Sequence, residues 1–248
     1  MKTKCRPVLE WVWFFLIVGI GWQLLAILVN NALICPSPVT VLWHMKEQFV
    51  SPDFWPVILQ TILRAMLALL LSFAAAVPCA FLAAFYPLCS GFLNRLVSVL
   101  QTVPNVCYII LLLFWTSRVQ TVILTGFFLL FPLIYRTLYE QLCAIQKDWK
   151  DVWILYPQPR WVLMIKICLP LLQPALLAAL KNASSLSFKA CVTSEILTGL
   201  SFGIGRKIQS ARFDLNLAGV AGWSLWLVLL VFLFEKLISW LIGAWLKR

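Results

Sequence analysis

Six long apolar stretches constrain this chain more than any other feature: Trp11 to Ile34, Ala65 to Tyr86, Leu96 to Ser117, Val119 to Tyr135, Ile167 to Thr198, and Leu215 to Phe234. A hydrocarbon core about 30 Å thick is crossed by roughly 20 apolar residues in helical form. No water is present there to bond the backbone, so runs this continuous read as helices rather than barrel strands. With 62% hydrophobic and only 12% charged residues among 248, the chain has too much apolar surface for one soluble core. The expected fold is an all-α integral membrane domain over 1–248. Its spans are taken as 11–34, 58–86, 94–117, 119–139, 167–198 and 215–246, with a connecting loop over 140–166. Lys2, Lys4 and Arg6 ahead of the first stretch resemble the start of a secretory signal. The stretch is too long for one and lacks a small-x-small cleavage pattern, so it is expected to stay attached.

Orientation follows from Lys and Arg in the gaps. With a cytoplasmic N-terminus, eleven lie inside (Lys2, Lys4, Arg6, Arg95, Arg136, Lys147, Lys150, Arg160, Lys166, Lys247, Arg248) and five outside (Lys46, Arg118, Arg206, Lys207, Arg212). Both termini are therefore expected in the cytoplasm, although a five-span alternative would bring the Arg206, Lys207, Arg212 group inside. The remaining four, Arg64, Lys181, Lys189 and Lys236, sit in or beside spans. The formal charge of +11 is spread along the gaps without a basic block, which points to membrane orientation and away from nucleic acid.

The fifth stretch is not uniformly apolar. Taken as a helix, it brings Lys181, Ser184, Ser185, Phe188, Cys191 and Glu195 within an arc of about 120°. Ionisable residues within spans are costly unless they face a bundle interior or a water-filled route, so this face marks a transport pathway. Lys181 admits a second reading, snorkelling to the interface. Glu195, about 21 Å further along the helix, is too far to pair with Lys181. Its two readings are a bond to a neighbouring helix or the Gly203 loop, and a place in the route or outer gate. Gly203, Ile204, Gly205, Arg206 and Lys207 lack the pattern of a phosphate-binding loop. They read as a flexible turn, either beside the pore or simply at the surface. Pro78 and Pro104 are expected to kink their spans, and Asn105 is the candidate polar contributor from the third.

The connectors differ. Cys35 to Val57 reads as a loop containing a short amphipathic helix over Val39 to Val50, and Thr116 to Gln120 as a tight hairpin. The longest, Arg136 to Lys166, carries Trp149, Trp153, Trp161, Pro157 and Pro159 among mixed charges, a composition suited to contact at the membrane surface. Trp11, Trp13, Trp22, Trp240 and Trp245 fit an interfacial belt. The eight cysteines show no Cys-x2-Cys spacing and His44 is the single histidine, so no metal cluster is expected and the thiols read as small apolar fillers.

From Ser37 onward the chain resembles the permease subunits of bacterial ATP-binding-cassette importers, in the branch that moves nitrate, sulfonates, taurine and thiamine-pyrimidine precursors. The matching pieces are Pro36, Ser37, Pro38 and Val41; Pro104; Arg160, Trp161, Leu169, Pro170 and Pro174; Ser194, Glu195 and Ile196; and Gly203, Ile204 and Gly205. The resemblance implies the type I importer permease fold in the cytoplasmic (inner) membrane, with no catalytic residue and no cofactor in this chain. ATP and Mg would be bound by a partner ATPase, a substrate-binding protein would lie outside, and two permease copies would enclose a route embedded in lipid.

The resemblance also implies a coupling helix in the long loop. The family's Glu-Ala-Ala falls on Asp151, Val152 and Trp153, and its Gly on Pro157, with Arg160 and Trp161 following. Trp is bulkier than Ala and Pro is fixed near a φ of about −65°, so the turn must be built differently. Asn105 and the polar-face residues Lys181, Ser184, Ser185 and Glu195 are the candidates for the pathway or its gate, and the resemblance supports a gate-adjacent loop at Gly203 and Gly205. The rivals are a passive channel or secondary carrier, which lacks support from any inverted repeat, and an embedded enzyme, for which the nine acids are too dispersed.

Overall fold

The computed structural model describes residues 6–31 and 33–245, with side chains described at Trp13 and over 16–31 and 33–240. The helices are α1 Arg6–Val29, α2 Pro38–Val50, α3 Phe54–Phe85, α4 Pro87–Thr102, α5 Asn105–Leu113, α6 Arg118–Asp148, α7 Lys150–Leu155, α8 Arg160–Val162, α9 Leu169–Thr198, α10 Ile204–Phe213 and α11 Leu217–Trp245. No strand occurs among the described residues. Lys2, Lys4, Cys5, Lys247 and Arg248 lie outside the described residues, as do the side chains of Arg6, Trp11 and Trp245.

Among the described residues, four rods are long and apolar enough to cross a membrane: α3, α6, the 39-residue run Arg160–Thr198, and α11. The expected third span, 94–117, is corrected from one kinked rod to α4 and α5, which meet at 93° and together form a fifth candidate span. The break has a local cause. Proline disfavours the helical region at the residue before it, and Val103 and Pro104 are extended, with ψ of 124° and 141°. The expected count of six is therefore reached only by adding α1, whose described apolar part is Leu16–Val29. Pro78, by contrast, sits within a continuous α3.

The core forms where α3, α6 and α9 meet. α3 turns a stripe of small residues inward, Ala65, Ala68, Ser72, Ala76, Ala80 and Ala83, all buried at helical spacing. Small side chains let membrane helices approach closely, which replaces the absent hydrophobic drive between them. Opposite lie the buried Leu130, Ile134, Tyr135, Leu138 and Leu142 of α6. The approach is close at Gly126, where a Cβ would stand 2.7 Å from Cβ of Ala68.

Several ends follow from local chemistry. Ser37 caps α2, its Oγ accepting from the Thr40 N–H at 3.2 Å, with Pro38 at the first helical position. Ser117 and Gln120 form a capping box that starts α6 at Arg118, so helix already occupies the second half of the expected Thr116 to Gln120 hairpin. α9 ends at Gly199 in the left-handed region, φ 60°. At the Phe54 end of the bundle, Phe49, Phe54, Trp55, Trp223 and Trp226 form an aromatic cluster joining α2, α3 and α11.

Candidate functional site

The polar residues of α9 separate into two groups when the helix is packed. Ser184, Phe188, Cys191 and Glu195 are buried against the bundle. Lys181 is exposed and Ser185 half-buried, on the side that also carries the exposed Lys189 and Thr193. The single expected face is thus corrected to two neighbouring ones. Helical periodicity gives the angle between residues on a helix, and only packing decides which angle points inward.

The inward group is organised by Glu195, which is fully buried. Arg64 of α3 donates to its Oε1 at 2.7 Å, and the Thr61 hydroxyl lies 3.1 Å from both carboxylate oxygens. The Gly205 N–H donates to Oε2 at 3.0 Å. Arg64 also donates to the carbonyl of Phe202 at 2.8 Å and to Gln60 Oε1 at 2.8 Å, while Thr61 Oγ1 accepts from the Ile204 N–H at 2.9 Å. Two membrane helices and the loop before α10 are thereby pinned by one ion pair. A buried charge is tolerated only when paired and hydrogen-bonded throughout, and here both carboxylate oxygens have partners.

The Gly203–Gly205 segment has its composition because of this pair. A Cβ on Gly203 would lie 2.5 Å from Glu195 Oε2, and φ there is 140°, a region open essentially to glycine. A Cβ on Gly205 would meet Glu195 Cβ at 2.5 Å and the Val192 carbonyl at 2.7 Å. Of the two readings of Glu195, the geometry matches the bond to a neighbouring helix and the Gly203 loop. Arg64 was visible in the sequence as a lone cation within an apolar stretch, three residues from Thr61. Its partner was not visible, since the two residues are 131 positions apart.

The remaining candidates lie elsewhere. Asn105 opens α5 at the bend, half-buried, with an Oδ1 that is buried and unbonded. In the long connector, α6 continues to Asp148 and the next rod begins at Arg160, leaving α7 between them. Asp151, Val152, Pro157, Arg160 and Trp161 are exposed, whereas Trp153 packs against the main core. The turn after α7 uses Tyr156 at φ −126° in place of a positive-φ residue. Arg160 stacks over Tyr86 with 5.3 Å between its guanidinium and the ring centre, tying the start of α8 to the junction of α3 and α4. A π-helical turn over Leu163–Cys168 joins α8 to α9.

Residues 76–247 match the family described as the binding-protein-dependent transport system inner membrane component. The chain belongs to this family. Being such a permease, it is a transmembrane subunit of an ATP-driven importer, a transport component rather than an enzyme, and it crosses the inner membrane several times. The matched segment carries α7, Glu195, Gly203 and Gly205, while Thr61 and Arg64 precede it. Three relatives are similar along most of their length. A putative ABC transporter permease of Methanocaldococcus jannaschii is 24% identical over 79% of this chain and 77% of its own. A putative aliphatic sulfonates transport permease of Bacillus subtilis is 26% identical over 77% and 70%, respectively. A nitrate import permease of Leptolyngbya laminosa is 28% identical over 85% and 77%. Permeases of this family work with ATP-binding cassette subunits and external binding proteins.

Proposed function

We propose that this permease imports a small oxyanion of the sulfonate or nitrate class, as one of two copies around a shared route. ATP and Mg are bound by a separate cassette subunit that docks on α7. The observation that carries the coupling half is the form of the connector. α7 hangs between two of the longest rods in the bundle, with Val152, Ile154, Leu155, Tyr156 and Trp161 exposed while Trp153 anchors it to the core. A movement imposed on α7 would pass directly into α6 and α9. The oxyanion is supported by the functions named for two relatives and by the cations Lys181, Lys189, Arg206, Lys207 and Arg212, since positive lining lowers the barrier for a negative solute. The excess of Lys and Arg at the α7 end supports a cytoplasmic location for that end and for both termini. Two copies are required because bent helices of this number enclose little space alone.

The test is purification of a tagged chain from its native host followed by reconstitution with the binding protein. An ATPase subunit is expected to co-purify, to be lost on deleting residues 147–160, and to drive uptake of nitrate or an alkanesulfonate. Trp153→Ala is expected to uncouple ATP hydrolysis from liganded binding protein. Retention of the ATPase by the deleted chain would remove α7 as the docking element, and ATP-independent uptake would favour the passive-carrier class.

A further inference from the structure

The exposed side of α9 holds a feature that the Glu195 clamp does not use. Lys181, Ser185, Lys189 and Thr193 recur every four residues on it. Lys189 and Ser185 line a cavity of about 290 Å3 together with Glu235 of α11 and the apolar Val228, Val231 and Phe232. Among the described residues neither Lys189 nor Glu235 makes an ion pair.

Depth makes these charges informative. Lys189 lies nine residues before Thr198 at the end of α9, about 14 Å at 1.5 Å per residue. Glu235 lies nine residues beyond Trp226 of the aromatic cluster, again about 14 Å. The adjacent residues Phe188 and Phe234 touch edge to face at 5.0 Å, so Lys189 and Glu235 share one level. With the Thr198 end of α9 and the Trp226 ring taken at the interface, where tryptophans concentrate, half of a hydrocarbon core about 30 Å thick is the same distance, so both charges fall near the bilayer midplane. A lysine at that depth cannot reach the interface by extending its stem, and ionisable residues at the midplane face a water-filled route or a partner rather than lipid.

We infer that Lys189, with Ser185 and Thr193 on adjacent turns, is an anion-contacting site at mid-depth in the translocation route, and that Glu235 is its resident counter-charge. Glu235 lines the same cavity beyond ion-pair distance, so the ammonium is open to a passing oxyanion while the nearby carboxylate repels it, and the solute is held in transit without being trapped. Lys181, two turns along the same side, provides the next cationic step. The site takes a small monovalent oxyanion, a sulfonate or nitrate. That identity rests on the importer reading above, whereas the wet, anion-favouring character of the face rests on depth and charge alone.

The test uses the assembled complex in membrane vesicles with Ser185→Cys or Thr193→Cys introduced singly. Each is treated with an anionic methanethiosulfonate (the sulfonatoethyl reagent) and a cationic one (the trimethylammonioethyl reagent), and modification is read by peptide mass spectrometry to separate it from the native thiols. Both positions are expected to react, with preference for the anionic reagent. Lys189→Gln is expected to lower that preference about thirtyfold, because one unit charge at roughly 4 Å in water changes the two reagents about fivefold each in opposite directions, and Lys189→Arg to retain it. No modification at either position would mean that the face meets lipid and would overturn the site. A preference unchanged by Lys189→Gln would overturn the anion contact. Uptake measured on the same complex separates the two readings: a Lys189-dependent preference without ATP-driven uptake of nitrate or methanesulfonate sinks the importer proposal and leaves the site standing.

Discussion

Removing Arg64 tests the structural reading most severely, because its partner has no route to water. Glu195 is 0% exposed and the Arg64 side chain only 10%. In Arg64→Met the carboxylate keeps the Thr61 hydroxyl and the Gly205 N–H but loses its counter-charge. Breaking a buried pair by deleting one partner costs about 3–5 kcal/mol, since the survivor stays charged and unpaired. Glu195→Gln is isosteric and its amide oxygen still accepts from Gly205, so its cost lies toward the low end of that range, about 3 kcal/mol. The double variant removes both charges and restores neutrality. Its cost is expected to fall below the sum of the singles by about 1–3 kcal/mol, within the range for residues in one network. The assay is a double-mutant cycle on the detergent-solubilised complex, with denaturant or thermal unfolding followed by loss of the monodisperse peak. Singles that each cost under about 1 kcal/mol, or costs that add within about 0.5 kcal/mol, would refute the clamp as an energetic unit.

Other expectations follow from the same geometry. Gly203→Ala forces a Cβ to 2.5 Å from the Glu195 carboxylate at a φ of 140°, so it is expected to destabilise by about 1–3 kcal/mol in the same unfolding assay and to loosen α10 toward proteolysis. Gly126→Ala sets a methyl 2.7 Å from Cβ of Ala68, separating α3 from α6; a cost of about 1–3 kcal/mol is expected, and wild-type stability would show that the helices are not packed at this distance. Asp53→Asn breaks an exposed 3.1 Å pair with Lys207, and unfolding is expected to move by no more than about 1 kcal/mol.

Much of this architecture was legible in the residues. The apolar runs gave α3, α6, α9 and α11, since length and continuity alone meet the demand of the bilayer. Ser37 followed by Pro38, and Ser117 followed by Gln120, carry the local signal of a helix start because capping is a contact between residues three apart, although the second pair falls within the expected Thr116 to Gln120 hairpin. The surface connector was legible from its Trp and Pro content, and the short helix α7 lies within it between Asp148 and Arg160. The 93° break at Val103 and Pro104 was harder to foresee. Pro78 carries the same local signal, yet α3 runs straight through it, so the outcome depends on what neighbouring helices offer the freed backbone group.

The polar helix shows where sequence reading stops. Spacing fixed that Glu195 and Cys191 share one side of α9, and that Lys181, Ser185 and Lys189 lie together. It could not fix the rotation of the helix about its own axis, because that is set by the partners each side meets. Tertiary packing supplied Arg64 and Thr61 from a distant rod and wrapped Gly203 and Gly205 around the carboxylate. It left the lysines of α9 on the open side, with Lys189 sharing a cavity with Glu235 of α11. The sequence thus determined that ionisable groups lie inside the membrane, and only the fold decided which were neutralised within the chain and which were left facing out of the bundle.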